Sequence, residues 1–558
     1  MIAGQINIHR LEKLGLVKTH FPLHRIWEIE RNIFLPELLK HKEDGSEGNL
    51  KAQWKGNLFT LDLPLHLIRQ YFGEKVGVCF LYIHTYMVWL LGLAIIGVLF
   101  FLDSVTRLNK ISFFEEDELY CFLTIAWSTL FLEMWKRKQE KFAIEWGQTF
   151  SEEVEIQRPE FQGKLRRSPV TDDRYELYYD SGKRLIYQTV GVVLSLVFVG
   201  LTVACIGFIL YKRAQTRAAG GIMFLYWDLS GTLYGIINAV QIEIFNKLFE
   251  LLAYKTTELE NYRYQSEFEN SYILKSYLFQ IVNSYASIVY IAFFQSHYEG
   301  CYALHFDGTR QPRSCMFDLQ VQLATIYCVH FVKNLVVMGK AAYQRWKRQR
   351  LGQDDSWKLQ WREKVCETET LRTQLEMEFS KSAYIAKGID GTFQHYLELM
   401  IQYGYVTLFA VAFPLAPLLA FFNNALELRV DRFKLLSLTR RPVPAGARGL
   451  GPWLVVLDVM TTMAIFSNSA LLCFTLSAFE DFRVLPDEPL MWFAIMLIAI
   501  FVIRKAASIL IPEVPYRYEL VKKRHAVIVE RHIKKYRPTR RVVSIDSEWV
   551  NMSILGTH

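Results

Sequence analysis

Apolar residues arrive along this chain in long runs of about 20, enough for a helix to cross a bilayer, and charged connections separate them. The first run covers Val76 to Leu102 and the second Tyr120 to Trp135, which leads into the basic stretch Lys136-Arg137-Lys138. Leu185 to Tyr211, Ala219 to about Leu252, Ile273 to Phe294 and Phe317 to Met338 follow. Residues 393–434 fold back on themselves as a seventh and eighth, and Trp453 to Ala478 and Pro489 to Ile511 complete ten candidate spans. The fourth is the least regular, because Asp228 and Glu243 interrupt it. Both could line a wet groove, and Glu243 could equally sit where a longer helix emerges into water.

The hairpin at 393–434 organises the rest. Its two arms meet at Pro414 and Pro417, where proline disfavours continued helix. Acidic groups lie inside its apolar pattern: Glu398 on the first arm, Glu427 and Asp431 on the second. Asn423, Glu427 and Asp431 recur every fourth residue and so share one helix face. Counted as straight helix from Ala416, Glu398 is about 27 Å down one arm and Asp431 about 22 Å down the other. Three carboxylates would then reach similar depth, where they need cations, protons or water. A hard divalent ion such as calcium would satisfy them. The alternative is pairing with Arg429, Arg432 or buried water.

Composition and charge sharpen this picture. The chain of 558 residues is 51 % hydrophobic and 15 % aromatic, and its 22 % charged residues gather between the apolar runs, as a bilayer requires. A net charge of +8 would suit nucleic acid, but the basic residues flank hydrophobic spans, which fits anionic lipid headgroups better. The loops 136–184, 340–387 and 429–448 and the tail after Arg504 are rich in Lys and Arg, whereas 103–118, 295–313 and 480–488 are poor in them. The positive-inside rule then puts both termini in the cytosol and needs an even number of spans. Residues 1–75 read as a short cytosolic segment without a signal peptide, 76–511 as the transmembrane domain, and 512–558 as a basic cytosolic tail, more a solvated helix than a lipid-binding one. The eight cysteines contain no CxxC pair and so give no zinc or redox motif. Cys301 and Cys315 share an outer loop and are disulfide candidates, though sequence alone does not fix their separation. No phosphate-loop, dinucleotide, HExxH or GxSxG pattern is present, which argues against an enzyme.

Several stretches resemble signatures of the anoctamin family. These are Gln70-Tyr71-Phe72-Gly73-Glu74-Lys75, FLEMWKRK at 131–138, LFQIVNSYASIVYIAFF at 278–294, the hairpin at 396–431, and RRPV at 440–443. The likeness runs from about His20 to the end, so the chain would keep only the last part of the family's N-terminal cytosolic domain, as a shortened isoform, a fragment or a divergent member. The resemblance implies an all-α integral membrane protein with ten transmembrane helices, forming a homodimer in plasma membrane or endoplasmic reticulum. It implies a hydrophilic groove built from the third to seventh spans (185–412), and calcium held by carboxylates on the sixth to eighth (317–434). Anoctamins include calcium-activated chloride channels and calcium-activated phospholipid scramblases, so chloride and membrane lipids are the implied cargoes.

Carried over by position, Glu398, Glu427 and Asp431 match calcium ligands and Asn423 a nearby polar position. Two ligands are missing: His395 replaces an acidic residue on the seventh span, and Gly339 replaces one on the sixth. Val329 stands where some members have a hinge glycine, and His330 where some channels have a basic residue. Losing carboxylates removes both charge and oxygen donors. A sixth span without a ligand cannot be pulled directly by the ion. Calcium binding is therefore expected to be weak or poorly coupled to opening. His395 with Glu398 could instead suit zinc or copper. Gln280, Asn283, Ser284 and Asp228 are the remaining groove candidates, although interhelical hydrogen bonds explain the first three equally well. The reading is a passive chloride and/or phospholipid permeation protein, with a non-conducting tether or regulatory subunit as the alternative.

Overall fold

The computed structural model describes residues 22, 63–106, 116–148, 157–158, 160–167, 175–224, 227–304, 310–312, 315–350, 378–379, 381–384, 391–475 and 489–532. The described chain is helical: α1 (Leu65–Phe72), α2 (Glu74–Thr106), α3 (Glu116–Glu145), α4 (Ser181–Ala218), α5 (Ser230–Leu259) and α6 (Gln265–Val289) come first. They are followed by α7 (Cys315–Arg350), α8 (Gly391–Thr407), α9 (Ala416–Phe433), α10 (Trp453–Ala470), α11 (Pro489–Leu510) and α12 (Tyr516–His532). Three small antiparallel hairpins decorate the connections: β1 (Lys164–Arg167) with β2 (Tyr175–Tyr178), β3 (Met223–Phe224) with β4 (Trp227–Asp228), and β5 (Tyr302–Leu304) with β6 (Arg310–Pro312). Beside the last of these, Cys301 and Cys315 form a disulfide with their Cα atoms 5.2 Å apart.

Among the described residues, six helical stretches are long and apolar enough to cross a membrane: Glu74–Asp103, Ser181–Ala218, Gln265–Tyr298, Cys315–Lys340, Trp453–Phe474 and Leu490–Leu510. The other long helices fall short for identifiable reasons. Helix α3 carries Lys136, Arg137, Lys138 and Glu140 in its second half, and α5 carries Glu243, Lys247 and Glu250. Helix α8 has 17 residues, and the 18 of α9 include Glu427, Arg429, Asp431 and Arg432. Apolar side chains all round a helix mark a helix buried or in lipid. Helices α4 and α11 fit the second case, since Leu185, Leu196, Val197, Ile498 and Val502 are exposed on their outer faces.

The hairpin α8–α9 lies at the centre. Helix α8 is buried along most of its length and packs on α2, α6, α9 and α10, while α9 packs on α2 and α7. An aromatic cluster locks α2 and α3 to α8: Tyr82 meets Trp135 edge-on at 4.9 Å, Trp127 stacks on Tyr403 at 6.3 Å, and the Tyr86 ring lies 6.1 Å from that of Tyr403. Close approach demands glycine at positions 97 and 404. A Cβ on Gly97 would lie 2.1 Å from the Pro414 carbonyl oxygen, and one on Gly404 would lie 2.0 Å from Tyr285 Oη.

Local structure departs from the sequence reading in two places. The fourth run does not begin a helix at Ala219. Gly220 and Gly221 adopt φ of 109° and 68°, conformations that close off α4, and the β3–β4 hairpin intervenes before α5 starts at Ser230. Asp228 therefore belongs to that hairpin and not to a span. The hairpin's first arm also ends early, at Thr407, and a run of tight turns precedes α9, whose first turn carries Pro417. At the other end of the bundle, Arg441 donates to the Tyr71 carbonyl at 2.6 Å and stacks on the Tyr71 ring, and the Lys75 amide donates to the Ala445 carbonyl at 3.0 Å. The two motifs at 70–75 and 440–443 are thus one joint. In α12, Tyr518 donates to Glu145 at 2.7 Å, and burial together with that carboxylate pushes its hydroxyl up to about 12.

Candidate functional site

A cavity of about 160 Å³ opens between α5, α6, α7, α8 and α9. Its wall is charged inside an otherwise apolar bundle. Glu243, Glu250, Glu398 and Glu427 contribute carboxylates, and Lys247 and Lys333 contribute ammonium groups. Ionisable groups at such depth persist only when paired or wetted, and the pairing is specific. Lys333 reaches from α7 to place Nζ 3.0 Å from Glu243 Oε1 on α5 and 3.3 Å from Glu398 Oε1 on α8. Gln394, one helical turn before Glu398, donates to the same carboxylate at 3.2 Å. One ammonium thus ties three helices together across the cavity wall.

Toward the far ends of the hairpin arms lies a second cluster. His395 Nδ1 is 3.4 Å from Glu427 Oε1 and 3.1 Å from Asp431 Oδ2. Donor atoms of these three residues all fall within 4.8 Å of one another. The other oxygen of Asp431 faces Lys434 Nζ at 3.4 Å. Asn423 Oδ1 accepts from Asn334 Nδ2 at 3.0 Å. Glu398 stands outside the three-residue group, held by Lys333 instead. Lys333 thus holds Glu398, while His395 stands beside Glu427 and Asp431, and Lys434 beside Asp431.

The remaining groove candidates separate as well. Gln280, Ser284 and His330 line the cavity, with His330 Nδ1 3.9 Å from Glu243 Oε1. Asn283 is buried and works between helices: it donates to the Ile242 carbonyl at 3.0 Å and to Asn246 Oδ1 at 2.8 Å, and accepts from Gln241 at 3.0 Å. Asp228 lies in β4. Gly339 is exposed on α7, and among the described residues no atom lies within 4 Å of where its Cβ would be. Sequence reasoning missed Lys333, Asn334 and Asn424. A signal for the first two was present: His330, Lys333 and Asn334 stand at i, i+3, i+4 inside an apolar run.

Does this set suit calcium? That ion takes six to eight oxygens. Here Lys333 and Gln394 hold Glu398, Asn334 holds Asn423, Lys434 holds one oxygen of Asp431, and a nitrogen donor stands at 395. The donors present do not fit calcium well.

Taken together, the chain is a polytopic helical membrane protein built round a charged internal cavity. The family model described as "Anoctamin: Calcium-activated chloride channel" matches residues 68–525, and the chain belongs to the anoctamin family. It is 28 % identical to human anoctamin-4 over 537 residues, which covers 85 % of this chain and 54 % of that protein. Mouse anoctamin-3 is 30 % identical over 537 residues, covering 85 % and 52 %. Mouse anoctamin-5 is 29 % identical over 541 residues, covering 84 % and 57 %. The chain spans about half the length of these relatives.

Proposed function

We propose that this chain is a passive permeation protein, carrying chloride, phospholipid headgroups or both past the α5–α9 cavity, under weak or altered calcium control. In this reading it crosses the membrane ten times with both termini cytosolic and works as a homodimer in plasma membrane or endoplasmic reticulum. The long α3, α5, α8 and α9 join the six strongly apolar stretches as spans, their charges turned to the cavity or to the membrane faces. The observation that supports the reading best is the Lys333 bridge, because a wetted, charge-compensated wall inside a bilayer protein serves a polar cargo.

Between the two cargoes, the lining favours the headgroup. Acidic side chains outnumber lysines around the cavity, and an acidic ring repels anions. A zwitterionic headgroup instead offers an ammonium to the carboxylates and a phosphate to Lys333. Reconstitution into liposomes tests this. Flipping of a fluorescent lipid, with chloride efflux slower or absent, is the expected outcome. Chloride efflux without lipid flipping would reverse the order of cargoes, and neither flux would leave the non-conducting tether or regulatory subunit.

A further inference from the structure

Among the described residues, Glu243, Glu250, Glu398 and Glu427 bring four carboxylates to the cavity wall, against two ammonium groups from Lys247 and Lys333. Both cations are engaged. Lys333 is shared between Glu243 at 3.0 Å and Glu398 at 3.3 Å, so that trio keeps an unbalanced negative charge. Lys247 meets Glu250 at 3.1 Å, with its own side chain 70 % exposed. Glu427 faces the imidazole of His395 at 3.4 Å. A second observation is independent of this balance. Tyr327 Oη, Gln402 Oε1 and both amide atoms of Asn424 line the same cavity without a hydrogen bond among the described residues, in side chains 5, 8 and 1 % exposed. Buried polar atoms of this kind call for a polar occupant, and they offer it dipoles without adding charge.

Dipoles beside a negative excess suit a headgroup whose own charges cancel. Choline and ethanolamine phospholipids present a phosphate and an ammonium. A serine headgroup adds a carboxylate, and a glycerol headgroup lacks the ammonium. Each of these two carries one net negative charge to a wall whose cations are engaged. We infer that the cavity discriminates among phospholipids by net charge, passing zwitterionic headgroups and retarding anionic ones, with Glu243 and Lys333 setting the balance. This discrimination rests on the permeation reading above and narrows its cargo. A single charge against an excess of one or two, about 8 Å away in water, changes a rate by about two- to sixfold. Salt weakens such an effect, since the screening length falls from about 30 Å at 0.01 M to about 3 Å at 1 M.

The test reconstitutes the full chain into neutral phosphatidylcholine liposomes carrying a trace of acyl-labelled phosphatidylcholine, phosphatidylserine or phosphatidylglycerol. Flipping is read by albumin back-extraction in about 0.01 M and about 1 M salt. The expected result is that both anionic lipids flip at least about threefold more slowly than phosphatidylcholine at low salt, and that the gap closes at high salt. Glu243→Gln relieves Lys333 of one carboxylate and should narrow the gap, whereas Lys333→Met should widen it. Equal rates at low salt, a gap that high salt leaves unchanged, or a gap that a flux-competent Glu243→Gln variant leaves unchanged would overturn the discrimination and leave the permeation reading standing. Flipping of no lipid would overturn both. Should either variant aggregate, the wild-type ratio and its salt dependence still decide the matter.

Discussion

Replacing Lys333 by methionine keeps most of the side chain's apolar stem and removes its charge. The ammonium lies 3.0 Å from Glu243 and 3.3 Å from Glu398, with side-chain exposures of 35, 30 and 31 % for the three residues. At an effective dielectric constant of about 20, each contact amounts to about 5 kcal/mol of Coulomb attraction before desolvation. Partial exposure to the cavity lowers this toward the value of wet pairs, ~1 kcal/mol each or less. A net loss of about 1–3 kcal/mol follows, seen as a lower thermal midpoint in calcium-free detergent. The effect on divalent ions has the opposite sign. An ion sharing Glu398 would sit about 4–5 Å from the ammonium, and even at water's dielectric constant their repulsion is about 2 kcal/mol. Removing it should strengthen calcium binding by about 30-fold or more. Calcium titration of the thermal midpoint, with wild type and Lys333→Met side by side, reads both effects. A folded variant whose calcium response matches wild type within about threefold would refute the claim that the lysine occupies the cation's place.

Two further substitutions probe the scaffold. Asp318 on α7 is buried and accepts from Arg217 at 2.7 Å and from Arg213 at 3.2 Å, both on α4. Asp318→Asn leaves two buried guanidiniums facing a neutral amide and should cost about 3–5 kcal/mol, read as a lower melting midpoint; an unchanged midpoint would contradict it. Gly404→Ala forces a Cβ to 2.0 Å from Tyr285 Oη and 2.3 Å from Met460 Cε, an overpacking of about 1–3 kcal/mol. Tyr285→Phe in the same chain should recover part of that loss by removing the clashing oxygen, at the expense of its 2.7 Å bond to the Ile401 carbonyl. A double variant no more stable than Gly404→Ala would show that the clash lies elsewhere.

Elements set by hydrophobic patterning and proline were readable in the chain. The hairpin of α8 and α9, the long apolar helices and the break near Pro414 and Pro417 all follow from local rules. What depended on tertiary choice was not. Depth along α8 was counted as straight helix from Ala416, but the helix stops at Thr407; Glu398 is held by Lys333, and His395 stands beside Glu427 and Asp431. Nothing local says that Lys333 prefers Glu243 and Glu398 to water or lipid headgroups; only the packing of three helices decides it. The Gly220-Gly221 pair was a local signal for the hairpin before α5, and it lay hidden inside an apolar run. The motifs at 70–75 and 440–443 were recognisable only as family features. Their physical reason, the Arg441–Tyr71 bond, joins residues far apart in sequence.

In the proposed reading, internal side chains hold the acids a calcium ion would need, so the cavity serves a polar cargo with little help from calcium. Proteoliposomes containing the full chain, assayed for lipid flipping and chloride efflux as free calcium is titrated from chelated to millimolar, test it most directly. The account predicts flux already present in chelator and changed little below high micromolar calcium. A chain silent in chelator and switched on by sub-micromolar calcium would contradict it.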